Sequence, residues 1–389
     1  MMMKTKLYYS PCPDYEENDI RQALDELLVQ SGLLDWVTPG MKIAVKVNLV
    51  AAMKADTAAV THPVAVAGLC RLLTERGATV IVGDSPGGTF TGSALATAYR
   101  VSGMTAVEAA GAKLNTDTSQ REIEVPDGEK THRFTVTAWL EEADAIINFA
   151  KLKTHGLMAY SGNVKNLFGT IPGTVKVEYH NRYPTAERFA DMLILLNEYW
   201  KCRLNLLDAV FGMEGNGPTA GTPRRIGLLL ASPSPYALDL AALSLIGLPP
   251  AEVPTVAAAI ARGVGPASLD ACEEADGLAA YAIKDYALIR RDSLFRLGSI
   301  LKGPLGKAAG YLSVKCLTAR PNPEKSACIG CGKCASVCPA HAIRMENKLP
   351  RITRRDCIRC FCCQEFCPVG AMQVRRPTVA RLLNHKRPK

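Results

Sequence analysis

The sequence predicts an α/β domain, a mostly parallel sheet with helices on both faces, followed by a small cysteine-dense C-terminal unit. Three observations carry this. Apolar, β-branched runs alternate with amphipathic helical stretches through the first 300 of 389 residues. Nine of the 14 cysteines fall between Cys328 and Cys367. The charge divides at the same place: residues 321–389 hold 14 Lys and Arg against 4 Asp and Glu, a net +10, whereas the other 320 hold 32 against 33, a net −1.

The first strand is KIAVKVN (42–48), ending at Asn48. HPVAVAGLCRLLTERG (62–77) is a helix with Pro63 near its start and Gly77 at its end, and Val66, Leu69, Cys70 and Leu73 share one face. ATVIVGD (78–84) is a buried-type strand. EIEV and THRFTV flank PDGEK (122–136) with period-two alternation, which is a hairpin. AIINF (145–149) is another buried strand, and NVKNLFG (163–169) a short helix ending at Gly169. AERFADMLILLNEYW (186–200) is amphipathic, with Phe189, Met192, Leu193, Leu196 and Trp200 on one side. CRLNLLDAV (202–210) and RRIGLLLAS (224–232) complete the strands. Such alternation covers a parallel sheet on both faces.

Ligands of open α/β sheets bind beyond the carboxyl ends of the strands. Four such ends are polar or glycine-rich: Asn48; Gly83–Gly88; Lys151–His155; and Asp208 followed by GMEGNGP (212–218). They are expected to converge on one cleft. The densest stretch is 151–180, with Lys151, Lys153, His155, Lys165, Asn166, Lys176 and His180 set among apolar residues. Lysine and histidine held in partial burial become bases, nucleophiles or anion binders. Lys153, His155, Lys165, Asp84 and Asp208 are therefore the candidates to bind or protonate a small anionic substrate. There is no Walker-type loop and no GxGxxG, but Gly87 and Gly88 in GDSPGG offer backbone N–H groups to an anion. His62 reads as a helix-start residue and His132 as a hairpin surface residue.

CIGCGKCASVCP (328–339) and CIRCFCCQEFCP (357–368) each read C-x2-C-x2-C-x3-C-P, one pattern repeated at a step of 29 residues. Three thiolates at this spacing wrap one iron–sulfur cube, and the fourth cysteine of each run reaches the other cube. Cys328, Cys331, Cys334 and Cys367 are thus expected to hold one [4Fe–4S] cluster, and Cys357, Cys360, Cys363 and Cys338 a second. Zinc also takes C-x2-C, but needs neither the third nor the fourth cysteine at these spacings. Cys362 is left over as a packing residue. Two such clusters bring roughly −4 to −6, which the +10 of this segment offsets.

Residues 321–375 resemble bacterial two-cluster ferredoxins, whose fold is a small pseudo-twofold α+β unit. HAIRME (341–346) and GAMQVRR (370–376) stand where that fold places a short helix or strand. KVNLV (46–50), THP (61–63), GDSPGG (83–88), EADAIINFAKLKTH (142–155), SGNVKNLFG (161–169) and GMEGNGP (212–218) together resemble the family known as domain of unknown function 362, often joined to such a ferredoxin. A further similarity is to the nickel-pincer lactate racemases. His155, Lys165 after Asn163-Val164, Pro172-Gly173 and His180 follow that family's order, with Asn-Val where it has Gly-Gly. That likeness implies a metal or organic cofactor in the cleft, approached by His155 and His180 and carried on Lys165.

The organisation expected is an α/β domain (1–295), a linker (296–320), a ferredoxin domain (321–375) and a basic tail (376–389). No run approaches the ~18 apolar residues of a spanning helix, and the start lacks a secretory signal, so a cytoplasmic protein without a transmembrane segment is expected. The tail lacks the aromatic interleaving of nucleic-acid binders, and no nucleic acid is expected. Three functions fit. The ferredoxin unit relays electrons between an external carrier (a ferredoxin, flavodoxin or reductase) and the cleft, as in anaerobic metabolism. Alternatively, the cleft is a metal- or pincer-dependent isomerase with structural clusters, or the chain is a non-catalytic electron-transfer subunit docked on a partner complex.

Overall fold

A computed structural model describes residues 5–289 and 319–375. Most of the expected linker, the basic tail and Cys316 lie outside the described residues. The strands in chain order are β1 (Thr5–Lys6), β2 (Tyr8–Pro11), β3 (Lys42–Lys46), β4 (Thr79–Gly83), β5 (Lys113–Leu114), β6 (Gln120–Asp127), β7 (Lys130–Thr137), β8 (Ala145–His155), β9 (Ala159–Ser161), β10 (Leu204–Glu214), β11 (Thr222–Ser232) and β12 (Cys272–Glu273). The C-terminal unit adds β13 (Arg320–Pro323), β14 (Ile343–Glu346), β15 (Leu349–Ile352) and β16 (Met372–Arg375).

The central sheet has eight strands in the order β2-β11-β10-β8-β3-β4-β5, with β9 folded back on β8. β5, β4, β3, β8 and β10 are mutually parallel, and β11 runs antiparallel between β10 and β2. Strand residues alternate between two cores, as a sheet buried on both faces requires. Val45, Val80, Ile147, Phe149 and Leu206 pack with Leu69 and Leu73 of the helix Pro63–Glu75. On the other face, Ala44 and Ile146 meet Phe189, Met192, Leu193 and Leu196 of the helix Ala186–Trp200. Leu207, Leu228 and Leu230 meet the helix Pro235–Ile246. Each large apolar side chain buried this way contributes about 1.5–3 kcal/mol.

Two strands run further than the composition suggests. AIINF continues through β8 to His155, so Lys151–His155 is strand and not a loop after it. β10 likewise runs past Val210 to Glu214. Charged residues ordinarily end a strand, but each polar side chain here finds a buried partner. Lys151 lies opposite Asp208 in the parallel register of β8 and β10, and their side chains form an ion pair of 2.9 Å.

The C-terminal unit has the repeat built into its geometry. β13 pairs with β16 and β14 with β15, both antiparallel, and both segments following the cysteine motifs are strands. Each motif carries a one-turn helix, Lys333–Ser336 and Cys362–Glu365, entered through a left-handed residue, Gly332 (φ 73°) and Phe361 (φ 64°). Glycine suits that conformation and phenylalanine does not. The reason for Phe361 lies in what it packs against, described below. Among the described residues no helix is long and apolar enough to cross a membrane.

Candidate functional site

The strand ends do converge. Asn48, Asp84, Ser85, Gly87, Lys153, Lys165, Asn166, Lys176, His180 and Pro218 line one inner pocket, which is closed by Glu365 and Phe366 from the cysteine-rich unit. Its volume is about 60 Å³, room for about two water molecules. Gly87, Glu365 and Phe366 also line a wider groove of about 1010 Å³ between the two units, where Gly88 and Cys367 form part of the wall. The small pocket and the large one share the wall formed by Gly87, Glu365 and Phe366.

The floor is a network of buried asparagines and lysines. Lys46 Nζ lies 2.8 Å from Asp84 and donates to the carbonyls of Val47 and Asn166. Asn166 Oδ1 accepts from Asn48 Nδ2 at 3.0 Å, and Asn166 Nδ2 donates to Asn148 Oδ1 at 2.8 Å. Asp239 holds the start of the short helix Asn163–Asn166, accepting from the N–H groups of Asn163 and Val164 at 2.6 and 3.1 Å. That helix presents Lys165 to the pocket. Gly169 is required close by: a Cβ there would stand 2.2 Å from Asp84 Oδ1 and 2.5 Å from Lys46 Nζ.

Three lysines face the cavity in different states. Lys153 is 1% exposed and donates to Asn48 Oδ1 (2.7 Å) and the Ala59 carbonyl (2.8 Å). Burial, and next the positive charge of Lys165, push its ammonium down to about 7. Lys176 donates to the Ser85 carbonyl at 2.7 Å, and burial pushes it down to about 7 as well. Lys165 is half-buried, 5.7 Å from the Phe168 ring, with no hydrogen bond or ion pair among the described residues.

The two histidines are held neutral. His155 is fully buried, and its Nδ1 accepts from the N–H groups of Leu157 (3.1 Å) and Met158 (3.2 Å). The ring proton must then sit on Nε2, which lies 2.9 Å from Glu365 Oε1. Burial, with Lys165 second, pushes His155 down to about 4. His180 stacks on Phe189 at 4.4 Å, its Nδ1 has no hydrogen-bond partner among the described residues, and burial pushes it down to about 4. Burial opposes ionisation of Glu365, yet the charge of Lys165 holds its carboxyl below the usual range.

Of the residues singled out in the sequence, Asp84, Lys153, Lys165, His180 and Gly87 come together in the inner pocket, with His155 behind Glu365. Gly88 stands in the outer groove. Asp208 does not line the pocket. It is fully buried, paired with Lys151 and hydrogen-bonded to Tyr15 Oη (2.7 Å) and the His62 N–H (3.0 Å), while Tyr15 stacks on His62 at 3.5 Å. Its charge is spent inside that cluster. His132 faces Asp127 at 3.7 Å in the hairpin, away from the site. Of GMEGNGP only Pro218 reaches the inner pocket; Gln364 Nε2 donates to the carbonyls of Asn216 (2.9 Å) and Gly217 (2.8 Å), so the loop also docks the cysteine-rich unit.

Glu365 was missed. The signal for it lies in the repeat: positions 332, 335, 336 and 337 hold Gly, Ala, Ser and Val, and their equivalents 29 residues on are Phe361, Gln364, Glu365 and Phe366. All four replacements face the α/β domain. A Cβ on Gly156 would stand 3.0 Å from Phe361 Cγ, and one on Gly87 2.8 Å from Phe366 Cε1. The left-handed conformation is common to both repeats, at Gly332 and Phe361, and the docking contact accounts for the side chain that stands there.

The cysteines fall into two sets. Cys328, Cys331 and Cys367 are near enough to raise the Cys334 thiol beyond what burial does, and Cys360, Cys357 and Cys338, with a smaller share from Cys334, do the same to Cys363. Among the described residues no three His, Cys, Asp or Glu side chains converge tightly enough for a single metal ion. The donor set suits a four-iron cube, whose ligands stand further apart. Cys362 is 1% exposed and packs with Val337 and Cys360.

Residues 43–244 match the family described as domain of unknown function (DUF362), and residues 320–368 match the 4Fe-4S dicluster domain. The chain is 32% identical over 263 residues to the thylakoid-associated protein sll1697 of Synechocystis sp., covering 66% of this chain and 79% of that protein. Among solved structures, the lactate racemase apoprotein from Thermoanaerobacterium thermosaccharolyticum is similar with a TM-score of 0.40 at 11% identity; the match spans 61% of this chain and 56% of that one.

Proposed function

The chain belongs to the DUF362 family and carries a ferredoxin-type 4Fe–4S domain, and from that premise we propose that it is an electron relay serving an anion-binding cleft. The observation that carries this is the shared wall. The second cysteine motif supplies Glu365 and Phe366 to the same small pocket that Lys153, Lys165, Lys176 and His180 line. Cys328, Cys331, Cys334 and Cys367 hold one [4Fe–4S] cluster, and Cys357, Cys360, Cys363 and Cys338 the other. Bound there, the clusters supply one-electron chemistry; the cleft's own residues bind and orient the anion and hold protons near it. His155 keeps its proton on Nε2, facing Glu365, and Lys153, poised near neutrality, is able to give or take one.

Exposure supports a direction across the relay. Cys331 is exposed and Ile329 is 63% exposed, so the first motif meets solvent and an external carrier. Cys360 and Cys363 of the second are buried, and the intervening Phe361 and neighbouring Gln364 meet the α/β domain. A purely docking role would leave His155 and Lys165 turned to solvent, whereas His155 is fully buried and Lys165 lines a cavity.

The test is Lys165→Ala in anaerobically purified protein. Reductant-driven turnover of a small anion should be abolished while iron stays at about eight per chain. Turnover that survives the substitution refutes the cleft assignment. Nickel, or a covalent adduct on Lys165, would instead favour an isomerase with a resident cofactor.

A further inference from the structure

The anion pocket already holds an anion, and it belongs to the chain itself. Glu365 stands at the junction of the inner pocket and the outer groove. One carboxylate oxygen lies 2.9 Å from His155 Nε2, and Lys165 lines the same inner pocket. The contact with His155 is close but poorly aligned: neither Oε1 nor Nε2 completes a hydrogen bond. The iron–sulfur motif does not call for a carboxylate here, because the equivalent position in the first repeat is an exposed serine, Ser336. Nor is Glu365 needed to fasten the two units, since Gln364, Phe361 and Phe366 do that.

We propose that Glu365 is an internal occupant of a carboxylate-binding site, and that the ligand of the cleft is a small carboxylate which replaces it. This rests on the anion-binding reading above and gives that anion a class. A carboxylate with one oxygen on the His155 Nε2 side leaves its other oxygen for the Lys165 ammonium, which lines the same pocket. The inner pocket, about 60 Å³, admits a head group of this size, and the groove of about 1010 Å³ gives the displaced Glu365 side chain, and the rest of a longer acid, somewhere to lie. Glu365 follows Cys363 by two residues and precedes Cys367 by two, so each exchange of carboxylates moves a side chain set between a ligand of either cluster.

A tethered carboxylate competes at an effective concentration in the millimolar range or above. Its removal should therefore strengthen the binding of a free one. The experiment is calorimetric titration of anaerobic holoprotein, with iron content verified, by sodium acetate and separately by inorganic phosphate in chloride buffer. Glu365→Gln should bind acetate at least tenfold more tightly than the unaltered protein, and K165A combined with E365Q should lose that gain. Glu365→Ala, which clears the side chain altogether, repeats the test should the glutamine amide stay in place. If acetate binds both glutamate-free variants no better than the unaltered protein, Glu365 is a fixed partner of His155 and the proposal fails. A tenfold gain for phosphate without one for acetate overturns the carboxylate class. If neither anion binds any of the proteins, the anion-binding reading itself is wrong, and this inference falls with it.

Discussion

Anion affinity in the cleft should fall steeply from pH 6 to pH 9, where ordinary lysines would leave it flat. Lys153 and Lys176 both sit near 7, pushed there chiefly by burial. The charges facing Lys153 are Lys165, Lys151, Glu365 and Asp84; those facing Lys176 are Asp84, Lys46, Lys165 and Glu365. A group titrating at 7 is roughly 90% protonated at pH 6 and about 1% at pH 9. One unit charge about 4 Å from a bound anion is worth about 4 kcal/mol at an effective dielectric of 20, close to a thousandfold in affinity. If one lysine must be charged, affinity drops about tenfold per pH unit above 7, or about a hundredfold by pH 9; two lysines take the loss toward ten-thousandfold. The assay is titration of the holoprotein with sodium acetate at constant ionic strength, since acetate stays ionised throughout. Lys153→Met should make the curve shallower by one lysine's share. The stability trend has the opposite sign. Between 7 and the unfolded value of 10.5 the unfolded chain holds the extra proton, so folding is favoured as pH rises through that window. Less than a threefold change in acetate affinity from pH 6 to 9 would refute the reasoning, for it would mean that neither lysine titrates where its burial places it.

Three further outcomes follow from particular contacts. Cys363→Ala should lower iron from about eight toward about four per chain, whereas Cys362→Ala should leave it unchanged, as measured by iron analysis of anaerobic protein. Asp239→Ala strips the N–H groups of Asn163 and Val164 of their acceptor, at about 1–3 kcal/mol each; it should lower the thermal midpoint and weaken acetate binding together, because Lys165 stands on that helix. Gly87→Val places methyl groups against Phe366 and the Val50 carbonyl; amide exchange at 361–366 should rise while iron is retained, and unchanged exchange would mean that the two units do not meet there.

Much of this was legible in the residues, and what was not has a physical cause. Buried strands and amphipathic helices announce themselves because one chemistry, removal of apolar surface from water, sets both their periods. Phe189, Met192, Leu193, Leu196 and Trp200 lie on one face in the sequence and in the fold. The cysteine motifs are legible because a cube fixes ligand spacing along the chain. Lysines carry no such rule. Lys151 and Lys153 alternate along β8 like any inward-facing pair, and only the acceptors they meet, Asp208 for one and Asn48 with the Ala59 carbonyl for the other, turn a surface-like run into a buried strand. Those acceptors come from distant parts of the chain, so composition in a window cannot reveal them.

The same logic explains why Asp208 was drawn into the cleft and Glu365 was left out. A carboxylate at the end of a parallel strand is ordinarily available to a ligand, but Asp208 is neutralised by the lysine beside it in register, which spends both charges on the fold. Glu365 sits inside a cluster motif, where every residue between the cysteines reads as filler. The repeat supplies what the motif hides. Two copies of one pattern have the same duty toward their clusters, so a position at which they differ is answering to something else. Phe361, Gln364, Glu365 and Phe366 are such positions, and all four touch the α/β domain. Differences between internal repeats thus mark the face that a repeat turns to its partner, and here one of those differences is a charge placed in the cleft.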